Sequence, residues 1–151
     1  MLLSNMEIKY RIKQLAESGF FFKHDFNYTS INVNEVSFQF SQEITAHPKE
    51  KELALTMTAY VVAPSENVTL AQQSVFCTFE VLPFEKVIQI CDGGFKTNSP
   101  LLVDTFISVA IGALRGLLSK NLAGTELKGI VLPLIPMDVI HDNTAKILST
   151  E

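Results

Sequence analysis

Three stretches alternate apolar and polar residues with the period of a β-strand. From Glu35 to Thr45, Val36, Phe38, Phe40 and Ile44 alternate with Ser37, Gln39, Ser41 and Glu43. Such alternation marks a strand with one wet face. From Leu53 to Ala63, one face carries Leu55, Met57, Ala59 and Val61, and the other Thr56, Thr58, Tyr60 and Val62. From Ser74 to Phe84, Val75, Cys77, Phe79 and Val81 share one face; Phe76, Leu82 and Phe84 share the other. Pro83 predicts that pairing ends there or that the strand is an edge. His47 to Glu52 reads as a solvated hairpin loop, residues 64–67 and 91–94 as turns, and Asn27 to Asn34 as a polar, turn-rich connection.

The period changes after Asn98. Ser99 is a candidate N-cap and Pro100 suits the first helical position. The spacing predicts a helix to about Asn121, with Gly124 as its stop. Leu101, Leu102, Phe106, Ile107, Val109, Ile111, Leu114, Leu117 and Leu118 spread over most of its faces. A helix apolar on most faces is buried on several sides. One sheet covers one side, so a second subunit is expected on the other. Asp104 and Arg115 leave ten uncharged residues between them, fewer than the roughly 20 that span a bilayer. Membrane insertion is therefore not expected.

Residues 6–23 support two readings. Ile8, Ile12 and Leu15 have helical spacing; Ile8, Tyr10, Ile12, Phe20 and Phe22 share the parity of a strand. After Gly124 the chain reads as extended and proline-punctuated, and Asp138 to Leu148 as a short helix. Strands first and helices last argue a single α+β domain over residues 1–151, with helices on one face of an antiparallel sheet.

Composition adds exclusions. A net charge of −4 over 151 residues gives no generic grip on nucleic acid. The first residues lack the basic region and apolar run of a signal peptide, so a cytoplasmic location is expected. Cys77 and Cys91 fit two free thiols of a reducing compartment better than a disulfide. Two Asn-x-Thr sequons then read as chance. His24, His47 and His141 fall in separate elements without metal-ligand spacing. Gly93-Gly94 lacks the following Lys-Ser/Thr of a phosphate loop, and no Gly-x-Ser-x-Gly elbow occurs. Neither catalysis nor a cofactor is expected. Asp104 has three readings: general base, partner of the helix dipole, or interface ion pair. Arg115 can anchor a partner, meet a carboxylate, or bind C-terminal helix carbonyls.

Eleven phenylalanines against no tryptophan exceed what one sheet face can hold. Some are expected in an exposed groove or a subunit contact. Candidates are Phe38, Phe40, Met57, Tyr60, Phe76, Phe79, Phe84 and Phe95, on whichever sheet face forms the groove. Interface candidates on the helix are Phe106, Ile107, Ile111, Leu114, Arg115 and Leu118.

The joint order of Ser99-Pro100, Arg115-Gly116, Gly124-Thr125, Leu132-Pro133 and Met137-Asp138-Val139-Ile140, after four strands, resembles the SecB family of export chaperones, especially its divergent SecB-like members. The resemblance runs from about Ile8 to Ile140. It implies a four-stranded antiparallel sheet with two helices on one side, assembled as a dimer of dimers with the long helices between sheets. It also implies that residues 8–22 form a first strand, bent near Gly19. The family holds unfolded or partly folded polypeptide clients in apolar grooves and does no covalent chemistry. The short, weakly charged end HDNTAKILSTE argues against coupling to a translocation motor. Members with a dedicated client, including antitoxins, are the nearer comparison. The competing expectation is a small oligomeric α+β binding or assembly subunit without chaperone activity.

Overall fold

The computed structural model describes residues 7–141. Four strands, β1 (Lys9–Phe22), β2 (Ser37–His47), β3 (Glu52–Val62) and β4 (Thr69–Leu82), form one antiparallel sheet in the spatial order β1-β4-β3-β2. A one-turn helix, α1 (Phe84–Val87), leads into a hairpin of β5 (Ile88–Cys91) and β6 (Gly94–Thr97). The long helix α2 (Pro100–Leu122) follows. Residues 130–136 lack regular structure, and a further helix, α3, begins at 137. The fold is α+β, as expected. The part of the predicted terminal helix beyond 141 lies outside the described residues.

The alternating stretches form a local meander, β2–β3–β4. β1 and β2 lie at opposite edges, so residues 23–36 cross from one edge to the other. Asn27 and Asn32 punctuate that crossing: each side-chain oxygen accepts a backbone N–H two residues on, from Thr29 at 3.2 Å and Asn34 at 3.0 Å.

β1 settles the two readings of the N-terminal stretch, and its register explains them. Pairing with β4 shifts between Ile12 and Gln14 and again between Glu17 and Gly19. The first bulge moves one face from even to odd positions; the second moves it back. Tyr10, Ile12, Leu15, Glu17, Phe20 and Phe22 thus share a face. The three-residue steps at the bulges are what imitate helical spacing.

Register also sorts the rest of the sheet. Leu53, Leu55, Met57, Ala59 and Val61 face the same way as Gln73, Val75, Cys77 and Phe79. α2 packs on this side, chiefly over β3 and β4. Phe79 stacks on Phe106 with centroids 4.0 Å apart and planes 7° apart. Leu102, Ile107, Ala110, Ile111, Leu114, Leu118 and Leu122 complete the buried stripe.

Four local expectations need correction. β4 starts at Thr69, ahead of the expected Ser74, because buried Gln73 interrupts its apolar row. Phe84 is not a strand residue: β4 ends at Leu82 and Phe84 opens α1. Ser99 holds the N-cap position, but its side chain makes no capping bond. Gly124 is not left-handed; the end of α2 is held instead by Thr125, whose N–H and Oγ1 both donate to the Leu122 carbonyl. The left-handed glycine comes later, at Gly129, with φ of 87°. The length argument against a membrane span also fails. Pro100–Leu122 has 23 residues and a window of mean hydropathy 1.8, long and apolar enough to cross. Packing on its own sheet is what accounts for its apolar side chains.

Candidate functional site

The second flank of α2 is covered by the protein's own chain. Leu127, Ile130, Leu132 and Ile140 are all buried in the core. Arg115 Nε donates to the Leu132 carbonyl at 2.8 Å, and its Nη2 to the Pro133 carbonyl at 2.9 Å. Gln42 Nε2, on the helix side of β2, donates to the Ile140 carbonyl at 3.1 Å. His141 Nε2 meets Asp104 Oδ1 at 2.8 Å. Residues 130–141 therefore run as a strap from the flank of α2 across to β2. Asp104 holds the far end of the strap through this contact. Arg115 binds carbonyls, but those of the strap rather than of its own helix.

The strap changes the placement of the helix candidates. Phe106, Ile107, Ile111, Leu114 and Leu118 are all buried between sheet and strap. They are core residues of one subunit, which corrects the expectation that they face a second one. The open side of α2 carries Leu101, Thr105, Ser108, Gly112 and Gly116 instead, at steps of three or four.

The aromatic candidates divide into three groups. Met57, Phe79, Phe84 and Phe95 are buried in the core, so they cannot line a surface groove without a rearrangement. This corrects their assignment as lining residues. Phe38 and Phe40 face the helix side along edge strand β2 and are half-buried. Tyr60 and Phe76 are half-buried on the opposite sheet face. That face also carries exposed Phe21 on β1 among polar pairs: Thr58 and Ser74 hydroxyls meet at 2.7 Å, Arg11 pairs with Glu80 at 2.9 Å, and Lys13 with Glu52 at 2.7 Å.

The helix side carries exposed apolar residues in a row. Beyond α2, edge strand β1 leaves Tyr10 52%, Ile12 49% and Leu15 50% exposed in one row. The Tyr10 ring meets Phe106 edge-on at 5.8 Å, which ties the row to the helix. On the β2 side, Val36, Phe38, Phe40, Ile44 and Ala46 are partly buried beside the crossing segment's Ile31 and Val33 and the strap's Ile135 and Met137, all packed on the same core. Phe22, helix-facing by register, stacks on Tyr28 with centroids 5.4 Å apart, so the crossing segment passes over this side too. Burial, with Glu126 and Asp25 nearby, pushes the Tyr28 hydroxyl up to about 12. It remains protonated and donates to the Lys23 carbonyl at 2.6 Å.

A recess of about 300 Å³ lies between β2 and the β5–β6 hairpin, bordered by Glu43, Ile44, Ala46, Ile90, Cys91 and Phe95. Cys91 is exposed and free, whereas Cys77 is buried and burial pushes its thiol up to about 11. Among the described residues, no three His, Cys, Asp or Glu side chains gather as metal ligands. The surface is suited to holding extended apolar chain: apolar rows, edge strands with unpaired backbone groups, and side-chain donors that take backbone carbonyls. The β1 row is absent from the aromatic candidates read off the sequence; its signal is the stepped spacing of Tyr10, Ile12 and Leu15.

No protein-family model and no curated protein matches this sequence. Among solved structures, the chain is similar to the Mycobacterium tuberculosis Rv1957 SecB-like chaperone, solved in complex with a ChAD peptide from the Rv1956 HigA1 antitoxin. The TM-score is 0.51 at 10% identity, over 84% of this chain and 88% of that one. The fold is SecB-like. In the SecB-like frame, the sheet, long helix and start of the short helix take the places the sequence resemblance implied. The structural neighbour is a chaperone rather than an enzyme.

Proposed function

We propose that this protein is a holdase that binds extended apolar segments of non-native polypeptides on the helix side of its sheet. The observation that carries this is the half-exposed row Tyr10, Ile12 and Leu15 on an edge strand, beside the buried flank of α2 that Phe106 marks. Apolar contact supplies roughly 25 cal/mol per Å² buried and little directional selectivity. The structural neighbour's antitoxin peptide supports a dedicated polypeptide client as well as a broad set. The exposed free thiol of Cys91 fits a cytoplasmic setting.

The working unit in this reading is a homo-oligomer, a dimer of dimers. The open side of α2 is the surface left for subunit contact, with the β1 row free for client. The test is suppression of aggregation of an unfolded model protein, with triple substitution of Tyr10, Ile12 and Leu15 by serine as the control. Protection by the native chain and its loss in a folded triple variant is the expected result. A native oligomer that gives no protection favours the assembly-subunit reading, for which these same surfaces serve only subunit contact.

A further inference from the structure

The sheet face away from α2 carries a pattern that the client surface leaves unused. Register places Phe21, Gln72, Tyr60 and Gln39 directly opposite one another, one from each strand, so aromatic and carboxamide side chains alternate across the sheet. The next row is Gly19, Ser74, Thr58 and Ser41, all small. A Cβ added at Gly19 would meet open space, and the Thr58 and Ser74 hydroxyls bond to each other at 2.7 Å. Phe76 stands one row further on. The small row is thus the floor of a shallow trough that crosses the strands, walled by Phe21 and Tyr60 on one side and by Phe76 on the other. Phe21 is exposed, while Tyr60, Gln72 and Phe76 are half-buried. Neither the aromatic row nor the floor holds a charged side chain.

We propose that this trough binds a proline-rich segment in the polyproline II conformation, running across the strands. Rings on β1 and β3 stand two strand spacings apart, about 9.6 Å. One polyproline II turn takes three residues, about 9.3 Å. Successive turns therefore meet successive rings. Proline carries a carbonyl acceptor and no N–H. The Gln72 and Gln39 amides and the Tyr60 hydroxyl supply donors for those acceptors. An uncharged row of donors thus matches an uncharged segment that can only accept. Polyproline II chain is stiff before it docks and loses little entropy on binding, so a shallow trough is enough. Single-stranded nucleic acid also stacks on aromatic rings, but the trough offers its phosphates no cation and the chain carries a net charge of −4. The site lies on the opposite sheet face from Tyr10, Ile12 and Leu15, so it stands or falls apart from the holdase reading.

The experiment titrates the full chain into fluorescein-labelled decaproline and reads anisotropy, with a glycine-serine peptide of equal length and oligouridylate beside it. Binding of decaproline alone is the expected result. Phe21→Ser should weaken it roughly ten-fold, because the ring is an exposed anchor whose loss leaves the core intact. Gln39→Glu sets a carboxylate against proline carbonyls at an exposed position and should weaken binding as well. It covers the case in which Phe21→Ser does not fold, which circular dichroism reads. Absence of decaproline binding, equal binding of the glycine-serine peptide or of oligouridylate, or native affinity in folded Phe21→Ser and Gln39→Glu overturns the proposal.

Discussion

Gln73 is a fully buried polar side chain in an apolar row, and its partners explain its place there. Its Nε2 donates to Glu17 Oε2 at 2.9 Å and to the Gly19 carbonyl at 3.1 Å, while its Oε1 accepts from Asn121 Nδ2 at 2.8 Å. A buried polar group costs little when it is bonded in this way. The same cluster ties β1 to the last turn of α2, since Asn121 Nδ2 also donates to Glu17 Oε2 at 2.6 Å. Hydrogen bonds from Gln73 and Asn121 hold the Glu17 carboxyl below its ordinary value of 4.5. The unfolded chain takes up this proton first as pH falls. The stabilisation is therefore complete above the ordinary value, and it is lost as pH drops through the lowered one. Urea titrations at neutral pH and near pH 3 should show a shallower acid loss in Glu17→Gln than in the native chain. An unchanged pH slope would remove Glu17 from the account. Nothing in the sequence announces this cluster, because Glu17, Gln73 and Asn121 meet only once β1 pairs with β4 under α2.

The elements differ in how far local pattern determined them. β2 and β3 were legible because apolar residues recurring at every second position over eleven residues suit a strand and no helix. β1 was not, since two bulges in one strand produce steps that local reading cannot separate from a helical turn. α2 was legible in its limits and misleading in its surroundings: its excess of apolar faces is real, but the chain itself supplies the second cover. Long-range pairing of that kind has no signature within the helix. Leu114→Ala should accordingly cost roughly 2–5 kcal/mol, the range for a buried leucine, read from the urea midpoint. Ile12→Ser, on the half-exposed row, should stay within about 0.5 kcal/mol of native. Equal costs at the two sites would contradict the assignment of one to the core and the other to a surface. For the aromatic candidates, composition exposed an excess of phenylalanine but not its location. Phe79 and Phe38 have the same alternating context, and only a central strand position separates the buried ring from the half-buried one.

At the level of the whole molecule, the homo-oligomer proposed above would use the open side of α2 rather than its buried stripe. Ser108→Arg and Gly112→Arg together place charge on that side and leave the core untouched. The double variant should remain folded by circular dichroism, while light scattering falls toward the 16.8 kDa of one chain. Undiminished mass would move the contact elsewhere, and a native monomer would remove the assembly altogether. The strand order has a different consequence, in the time domain of synthesis. β1 is the first strand made, but its partner β4 is complete only at Leu82. At about 5–20 residues per second, the nascent chain carries Phe20, Phe21 and Phe22 unpaired for several seconds. A ribosome-arrested chain ending short of β4 should therefore be cut readily by protease within β1, and one extended past α2 should not. If the protein is the holdase proposed above, it begins its own existence as the kind of chain it would shelter.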